Sequence, residues 1–577
     1  MNLVDKDLQS VQEVRLLLAK AKEAQKKLAV LTQSQINDIT KAVCEATYKE
    51  RVRLAKLAHE ETGFGKWEDK VLKNAFASKQ VYAHMKDMKT VGVINDDRVN
   101  KVMEVAVPVG VIAGLVPSTN PTSTVIFKSL IALKAANSIV FSPHPTAIKC
   151  IGETVKIIRK ALKGIGAPED AVSYMTMPTM EGTAELMKSK NTDLILATGG
   201  SAMVKAAYSS GTPALGVGPG NGPAYIERSA DVKLAVKRII DSKTFDNGTI
   251  CASEQSIIAE TVNKDAILKE LEAQGAYILN PEEATRLGTF ILRANGTMNP
   301  AIVGKSAQVI AKLVGLEIPS DRILLVAPET GVGPKYPYSH EKLAPILAFY
   351  TVANWEEACD LSIRILENEG AGHTLIIHTE NNDVVREFGL RKPVSRLLVN
   401  TPGALGGIGA TTNITPSLTL GCGAVGGSAT SDNVGPQSLF NLRRVAYGVR
   451  ELEDLRKTEN ADSVPVGATL GVESQEVVIR AIVEQIMANL FPTIVPGKIL
   501  RDNTHKIRIA LSHNCETRYI VTDLTVNSIQ EFKNGYIIKR ADTSYLNSKL
   551  RNEKLRSDTI RIRLSFVRAI MRFALQC

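Results

Sequence analysis

No two of the seven cysteines form a C-x-x-C pair; Cys44, Cys150, Cys251, Cys359, Cys422, Cys515 and Cys577 are odd in number and widely scattered. That pattern argues against a disulfide framework and against a structural zinc site, and no metal is expected. A reducing compartment is implied. The chain also lacks any apolar run near the ~18 residues needed to span a bilayer. The opening stretch MNLVDKDLQSVQEV carries acidic residues where a secretory signal would place its apolar core. A soluble, cytoplasmic protein with no membrane contact is expected. Net charge is missing from most of the chain as well. Gly497 to Cys577 hold 16 Lys+Arg against 7 Asp+Glu, and with 70 and 60 in all the first 496 residues keep 54 against 53. Only the tail has a positive field to offer a partner.

At 577 residues and 44% apolar content, two or three domains are expected. Residues 6–92 show apolar positions at helical spacing, as in VQEVRLLLAKAKEAQKKLAVL. From Val102 the period changes: short apolar runs (VGVIAGLVP, SIVFSP, AVSYMTMP, DLILATGG) alternate with helical patterns. Strands apolar on both faces and separated by helices require a parallel sheet covered on two sides. The fold class is therefore α/β, doubly wound, with ligands at the carboxyl ends of the strands. A second α/β segment runs from about Arg228 to Leu420.

Two strand ends offer groups for a ligand, although neither is a G-x-G-x-x-G. In GLVPSTNPTST, Ser118, Thr119 and Asn120 precede a helix whose first turn holds Thr122, Ser123 and Thr124. In ATGGSAMVKAA, Gly199 and Gly200 allow close backbone approach, and Ser201 is expected to cap a helix whose first amides attract phosphate. The third candidate is Cys251 in TFDNGTICASEQ. A free cysteine commonly serves as a small buried hydrophobe. Polar, close-approach neighbours suit an accessible thiolate instead.

The ordered series VPVGVIAGLVPSTNP, ATGGSAMV, GVGPGNGPAYI, TFDNGTICASEQ, HEKLAPIL and GAGHT resembles the CoA-acylating aldehyde dehydrogenases from near the start to about Leu455. It is similar to the acetaldehyde and propionaldehyde dehydrogenases of bacterial microcompartments and to the N-terminal half of bifunctional aldehyde-alcohol dehydrogenases. The resemblance implies an aldehyde dehydrogenase-like fold and oxidation of a short-chain aldehyde, with NAD and coenzyme A, to acyl-CoA and NADH. NADP is left open. Cys251 stands at the nucleophile's position and Asn120 at that of the oxyanion-hole asparagine. Ser118, Thr119, Ser142, Gly199, Gly200, Ser201 and Glu341 stand on the cofactor side, with Glu341 matching the carboxylate that contacts the nicotinamide ribose. Ser142 replaces a lysine of many hydrolytic relatives. His373 in GAGHT is an active-site candidate. Dimers or tetramers are implied.

Hydrolytic relatives carry a glutamate in an E-L-G-G motif that activates water. Here the stretch reads VGPGNGP, with Val217 in the glutamate's place. An acyl-thioester on Cys251 would then await a thiol.

The expected division is 1–227 for N-terminal helices and the NAD-binding domain, 228–420 for the catalytic domain, and 421–457 for the end of the dehydrogenase body. Residues 458–495 read as a linker and a candidate encapsulation helix; 476–490 resemble peptides that dock enzymes to microcompartment shell proteins. Residues 496–577 resemble the arm-binding region of phage integrases, with two strands, a turn at Asn534-Gly535 and a basic helical stretch, as a fusion or read-through would append. Incidental nucleic-acid binding by this tail is expected. The alternative reading is a DNA-binding protein with the dehydrogenase body as passenger.

Overall fold

The computed structural model describes residues 5–293, 295–461, 491–500, 505–513, 516–526, 532–533 and 536–537. The chain divides into two units, Met1–Val449 and Arg450–Cys577.

The first unit opens with helices. Lys6–Leu28 is started by Asp5, whose carboxylate accepts from the amides of Asp7 and Leu8, and it buries Val14, Leu18, Ala21 and Leu28 on one face. Gln33–Lys49 begins with a reciprocal capping box between Thr32 and Gln35. Arg51–Thr62 stops at Gly63, which takes the left-handed conformation (φ 67°) that a side chain would resist. Trp67–Ala75 follows, and its buried residues are Lys70, Lys73 and Asn74 rather than aliphatics.

Two strands then form a hairpin, β1 (Gly92–Asp97) and β2 (Val102–Pro108), completed on the far side of β2 by β15 (Phe440–Ala446). Helical pattern was expected up to residue 92, and nothing marked the next six as a strand. Most of β1 is exposed, so no apolar alternation announces it.

The first parallel sheet comprises β3 (Val111–Val116), β4 (Ser138–Pro143), β5 (Val172–Tyr174), β6 (Leu194–Thr198) and β7 (Ala214–Val217), in the order β5-β4-β3-β6-β7. β3 and β4 are buried throughout, as their uninterrupted apolar runs require. From β3 the chain moves one way to β4 and β5, and then returns to the other side for β6 and β7. The order reverses between β3 and β6, and the crevice of a doubly wound sheet opens there. GLVPSTNP and ATGGS leave these two neighbouring strands.

The helix Pro121–Lys134 is buried along its whole length. From it Lys128 reaches the reversal point, donating to the carbonyls of Leu115 (2.7 Å) and Leu196 (2.8 Å). Burial pushes this ammonium down to about 7.

The second parallel sheet comprises β8 (Gly222–Ile226), β9 (Glu254–Glu260), β10 (Ala276–Ile278), β11 (Leu324–Pro328), β12 (Ile346–Val352), β13 (Gly372–His378) and β14 (Val394–Val399). Their order is β10-β11-β12-β9-β8-β13-β14. β8 belongs to this sheet, so the expected division at 227/228 lies just after its first strand.

In the second unit, β16 (Phe491–Ile499), β17 (His505–His513) and β18 (Glu516–Val526) form an antiparallel sheet. Two short strands, β19 (Phe532–Lys533) and β20 (Tyr536–Ile537), pair across positions 534–535. Three long strands replace the two expected, the first beginning at Phe491, before the boundary set at 496. The candidate encapsulation helix at 476–490 and the basic helical stretch lie outside the described residues. Among the described residues, no helix is long and apolar enough to cross a membrane.

Replacing Lys128 with Met should leave the carbonyls of Leu115 and Leu196 without their donor. The expected cost is about 1–3 kcal/mol, read as a lower denaturant midpoint, and an unchanged midpoint would show that the tie is dispensable.

Candidate active site

The helix Val232–Thr244 ends in a turn whose backbone is left-handed at three successive residues: Asp246 (φ 48°), Asn247 (φ 52°) and Gly248 (φ 76°). Asp and Asn tolerate this conformation better than most residues, yet two in a row need outside support. It comes from the N-terminal helices. The fully buried Asp246 carboxylate accepts from the Lys66 amide (2.7 Å), Lys70 Nζ (2.9 Å), Lys73 Nζ and Thr249 Oγ1 (2.9 Å). The Asp246 amide donates to Asp69 (2.7 Å). A Cβ at position 65 would lie 1.8 Å from Asp246 Oδ1, so glycine is required there. Burial pushes the Asp246 carboxyl up, but Lys73 and Lys70 outweigh it and hold it below its ordinary value.

The same Lys73 ammonium donates to Asn120 Oδ1. With its oxygen so fixed, Asn120 Nδ2 donates to the Thr249 carbonyl and to Thr119 Oγ1, both at 3.1 Å. Asn120, at the carboxyl end of β3, is thus brought against the chain two residues before Cys251.

Cys251 lies just before the amino end of β9 and is half-buried. Burial pushes its thiol up to about 12; the Glu341 carboxyl and Cys422 add to this, and Arg396 opposes it. The accessible thiolate expected from the polar neighbours is corrected: the flanking residues are polar, but the site they occupy is desolvated, and the resting group is the thiol.

Gly220 joins the remaining groups. Its N–H donates to Glu341 Oε1 (3.0 Å). A Cβ there would sit 1.9 Å from the Cys251 carbonyl oxygen and 3.2 Å from His373 Cε1. Glu341 is raised to about 8, by burial first and by Glu369 second. Its carboxyl, expected at the nicotinamide ribose, is turned here to the Gly220 amide. His373, at the start of β13, is fully buried and held neutral, its pKa lowered to about 3 by burial and by the charge of Arg396. Its Nδ1 lies 2.9 Å from Thr374 Oγ1, and its Nε2 has no hydrogen-bond partner among the described residues. Val217, the last residue of β7, is buried in the core.

The expected cofactor-side residues gather at the carboxyl end of the first sheet, with one change and one exception. Ser118 and Thr119 are half-buried directly after β3. Gly200, not Ser201, is the N-cap of the helix Ser201–Tyr208, and no side chain caps that end. Ser201 is the helix's first residue and is exposed. Ser142 is buried, with its hydroxyl bonded to that of Thr183 at 2.8 Å.

Lys73, Asp246 and Arg396 were missed. Lys73 sits, with Lys70, in a helix whose charged residues read as a solvated face, and the DNG of the turn gave no sign of a distant partner. A cleft of about 800 Å³ at the carboxyl ends of β10, β11 and β12 contains none of the site residues. Among the described residues no group of three or more His, Cys, Asp or Glu could hold a metal ion.

Residues 4–410 match the Aldehyde dehydrogenase family. The chain belongs to that family. Its architecture is shared with the crystal structure of a probable aldehyde dehydrogenase from Listeria monocytogenes EGD-e, at 67% identity and a TM-score of 0.78 over 78% of this chain and 100% of that one. The acetylating aldehyde dehydrogenase of Geobacillus thermoglucosidasius matches at 56% identity, TM-score 0.77, over 78% and 99%. Among curated relatives, the bifunctional aldehyde-alcohol dehydrogenase AdhE of Escherichia coli (strain K12) is 44% identical over 442 residues, 76% of this chain and 50% of its own length. This aldehyde dehydrogenase chain thus spans about half the length of that relative. The matches lend no support to the reading as a DNA-binding protein with a passenger body.

His378, at the end of β13, has both ring nitrogens buried and unpartnered among the described residues, and burial lowers it to about 3. Unfolded, it would titrate near 6.5. The folded ring binds fewer protons, so the stability it contributes is present above about 6.5 and lost as pH falls toward 3, by up to about 1.4 kcal/mol per unit. His378→Asn should flatten the fall in urea midpoint between pH 6.5 and 4.5. An identical slope in wild type and variant would count against the buried neutral ring.

Proposed function

We propose that the chain converts a short-chain aldehyde, NAD and coenzyme A reversibly to acyl-CoA and NADH, with Cys251 as nucleophile. The observation that carries this reading is the surroundings of Cys251. Glu341, the carboxyl that acts on the thiol, is raised to about 8 and bound to the Gly220 amide, so at neutral pH it is largely protonated. Val217 takes, in the sequence, the place of the water-activating glutamate of hydrolytic relatives, and its apolar side chain is buried. Water therefore lacks a base, and a thioester can survive until a thiol arrives.

The residues present fit a dinucleotide. The order of the first sheet reverses between β3 and β6, and at the end of β6 the Gly199–Gly200 turn leaves open space where a Cβ at Gly200 would stand, over the uncapped amides of Ser201–Tyr208. Bound NAD would supply a hydride acceptor. Ser142 is too buried to meet an adenosine ribose as its hydroxyl now stands, which leaves NAD against NADP to the loops around it.

The chain's own residues do the rest. The Cys251 sulfur adds to the aldehyde carbonyl carbon. The Asn120 amide, held by Lys73, exchanges its bond to the Thr249 carbonyl or the Thr119 hydroxyl for one to the oxygen where negative charge develops, a contact worth roughly 10²–10³ in rate. Loss of hydride leaves an acyl-thioester on Cys251. Attack by the CoA sulfur releases acyl-CoA and returns the thiol. His373 lies beside this centre as a neutral polar group.

Dimers or tetramers are supported by β14, which leaves one edge of the second sheet unpaired among the described residues. Residence in a microcompartment with shell docking through 476–490, and incidental nucleic-acid binding by 496–577, rest on sequence resemblance.

Two variants test the reading. Cys251→Ala should lose aldehyde- and CoA-dependent NADH formation while still binding NAD; normal turnover would refute the nucleophile. Val217→Glu should release free acid without CoA, since a well-placed base contributes roughly 10²–10⁴-fold. Acid release followed against pH separates a misdirected or protonated glutamate from an active one. If acyl-enzyme forms and no acid appears at any pH, water exclusion rather than the missing carboxylate selects the acceptor.

A further inference from the structure

We propose that Arg396 and Thr374 fix the tautomer of His373 so that the ring presents an N–H donor from Nε2, not a lone pair, to the centre at Cys251. The proposal rests on the reading of Cys251 as nucleophile. The tautomer itself can be measured without turnover.

Arg396 stands on β14 directly opposite Thr374 of β13. Its guanidinium is buried and wired on every side: Nη2 to the His373 carbonyl (2.9 Å), Nη1 to Asn433 Oδ1 (3.2 Å) and the Ser431 carbonyl (3.4 Å), and Nε to Thr374 Oγ1 (3.3 Å). A guanidinium has donors only. Thr374 Oγ1 is therefore the acceptor from Arg396, and the arrangement that also uses its single hydrogen has it donate to its other side-chain contact, His373 Nδ1 at 2.9 Å. Nδ1 then accepts.

The ring is neutral, because burial and the neighbouring guanidinium both oppose a second proton. A neutral imidazole carries one hydrogen, and with Nδ1 accepting it must lie on Nε2. That nitrogen is buried and unpartnered among the described residues. The adjacent Cε1 and the Cys251 carbonyl oxygen both border the space where a Cβ at Gly220 would stand, 3.2 Å and 1.9 Å from it. An unsatisfied buried donor is costly unless something bound accepts from it. Negative charge on the Cys251 adduct is such an acceptor. His373 would then share with Asn120 the stabilisation of that charge, with no proton transferred at Nε2; in the acyl transfer the CoA proton would end on the departing Cys251 sulfur. Arg396 and Thr374 are positioning residues acting through the ring.

The test is the two-bond ¹H–¹⁵N spectrum of the full chain labelled with ¹⁵N-histidine, recorded at pH 7 without substrates, with the His373 signals assigned by their loss in His373→Gln. The expected pattern is an unprotonated Nδ1 and a protonated Nε2. A protonated Nδ1 overturns the proposal whatever the enzyme's activity. Thr374→Val should shift the ring toward the other tautomer and lower kcat by less than the roughly 10²–10³-fold of losing an oxyanion donor outright, with the aldehyde KM little changed. Thr374→Ser should restore both. If the valine variant folds and leaves the ring signals unchanged, Thr374 does not set the tautomer. If the wild-type spectrum is as expected but Cys251→Ala still turns over, the tautomer stands and the nucleophile assignment falls.

Discussion

The site depends on a single buried carboxylate. Asp246 lies in a turn whose backbone is unfavourable for any residue with a side chain, and it stays there because Lys66, Lys70, Lys73 and Thr249 all donate to it. Unpaired, such a group would be expelled toward water or take up a proton. Paired, it locks the loop that carries Cys251, and through Lys73 it also sets which way the Asn120 amide faces. One ion cluster therefore positions both the thiol and the amide.

Around the thiol itself the groups rest uncharged. Burial raises Cys251 and Glu341 and lowers His373, which favours the neutral form of each, and the charge of Arg396 opposes this at the thiol. Buried, nearly neutral surroundings strengthen every dipole aimed into them. They also hold the proton on the Cys251 sulfur. Bound substrates would change that balance by bringing their own acceptors and charges.

Much of this was legible in the chain. Short apolar runs marked β3, β4, β5 and β6 as strands of a sheet covered on both faces, and the residues after β3 and β6 stood out as turns and helix starts. Cys251 was recognisable from its polar neighbours even though the state of its thiol was not, because ionisation depends on what is packed above it. β1 escaped notice because an exposed edge strand needs no apolar pattern. Ser201 looked like a cap, since serine favours that position, but Gly200 already supplies the backbone angle (ψ 163°) that begins the helix. Buried lysines such as Lys70, Lys73 and Lys128 were invisible for a general reason: a lysine in an amphipathic helix reads as solvent-facing until its distant acceptor is known.

The bond from the Lys66 amide to Asp246 joins residues 180 positions apart. Contacts so distant in sequence form late, because a long loop must close before they repay it. Within the cysteine turn only Thr249 is a local donor among those described for the Asp246 carboxylate; Lys66, Lys70 and Lys73 come from the N-terminal helices. During synthesis the N-terminal helices emerge first and wait for their partner, and the reactive thiol is aligned only when the two distant segments meet. Until those segments meet, the turn before Cys251 lacks the donors that Lys66, Lys70 and Lys73 bring to Asp246.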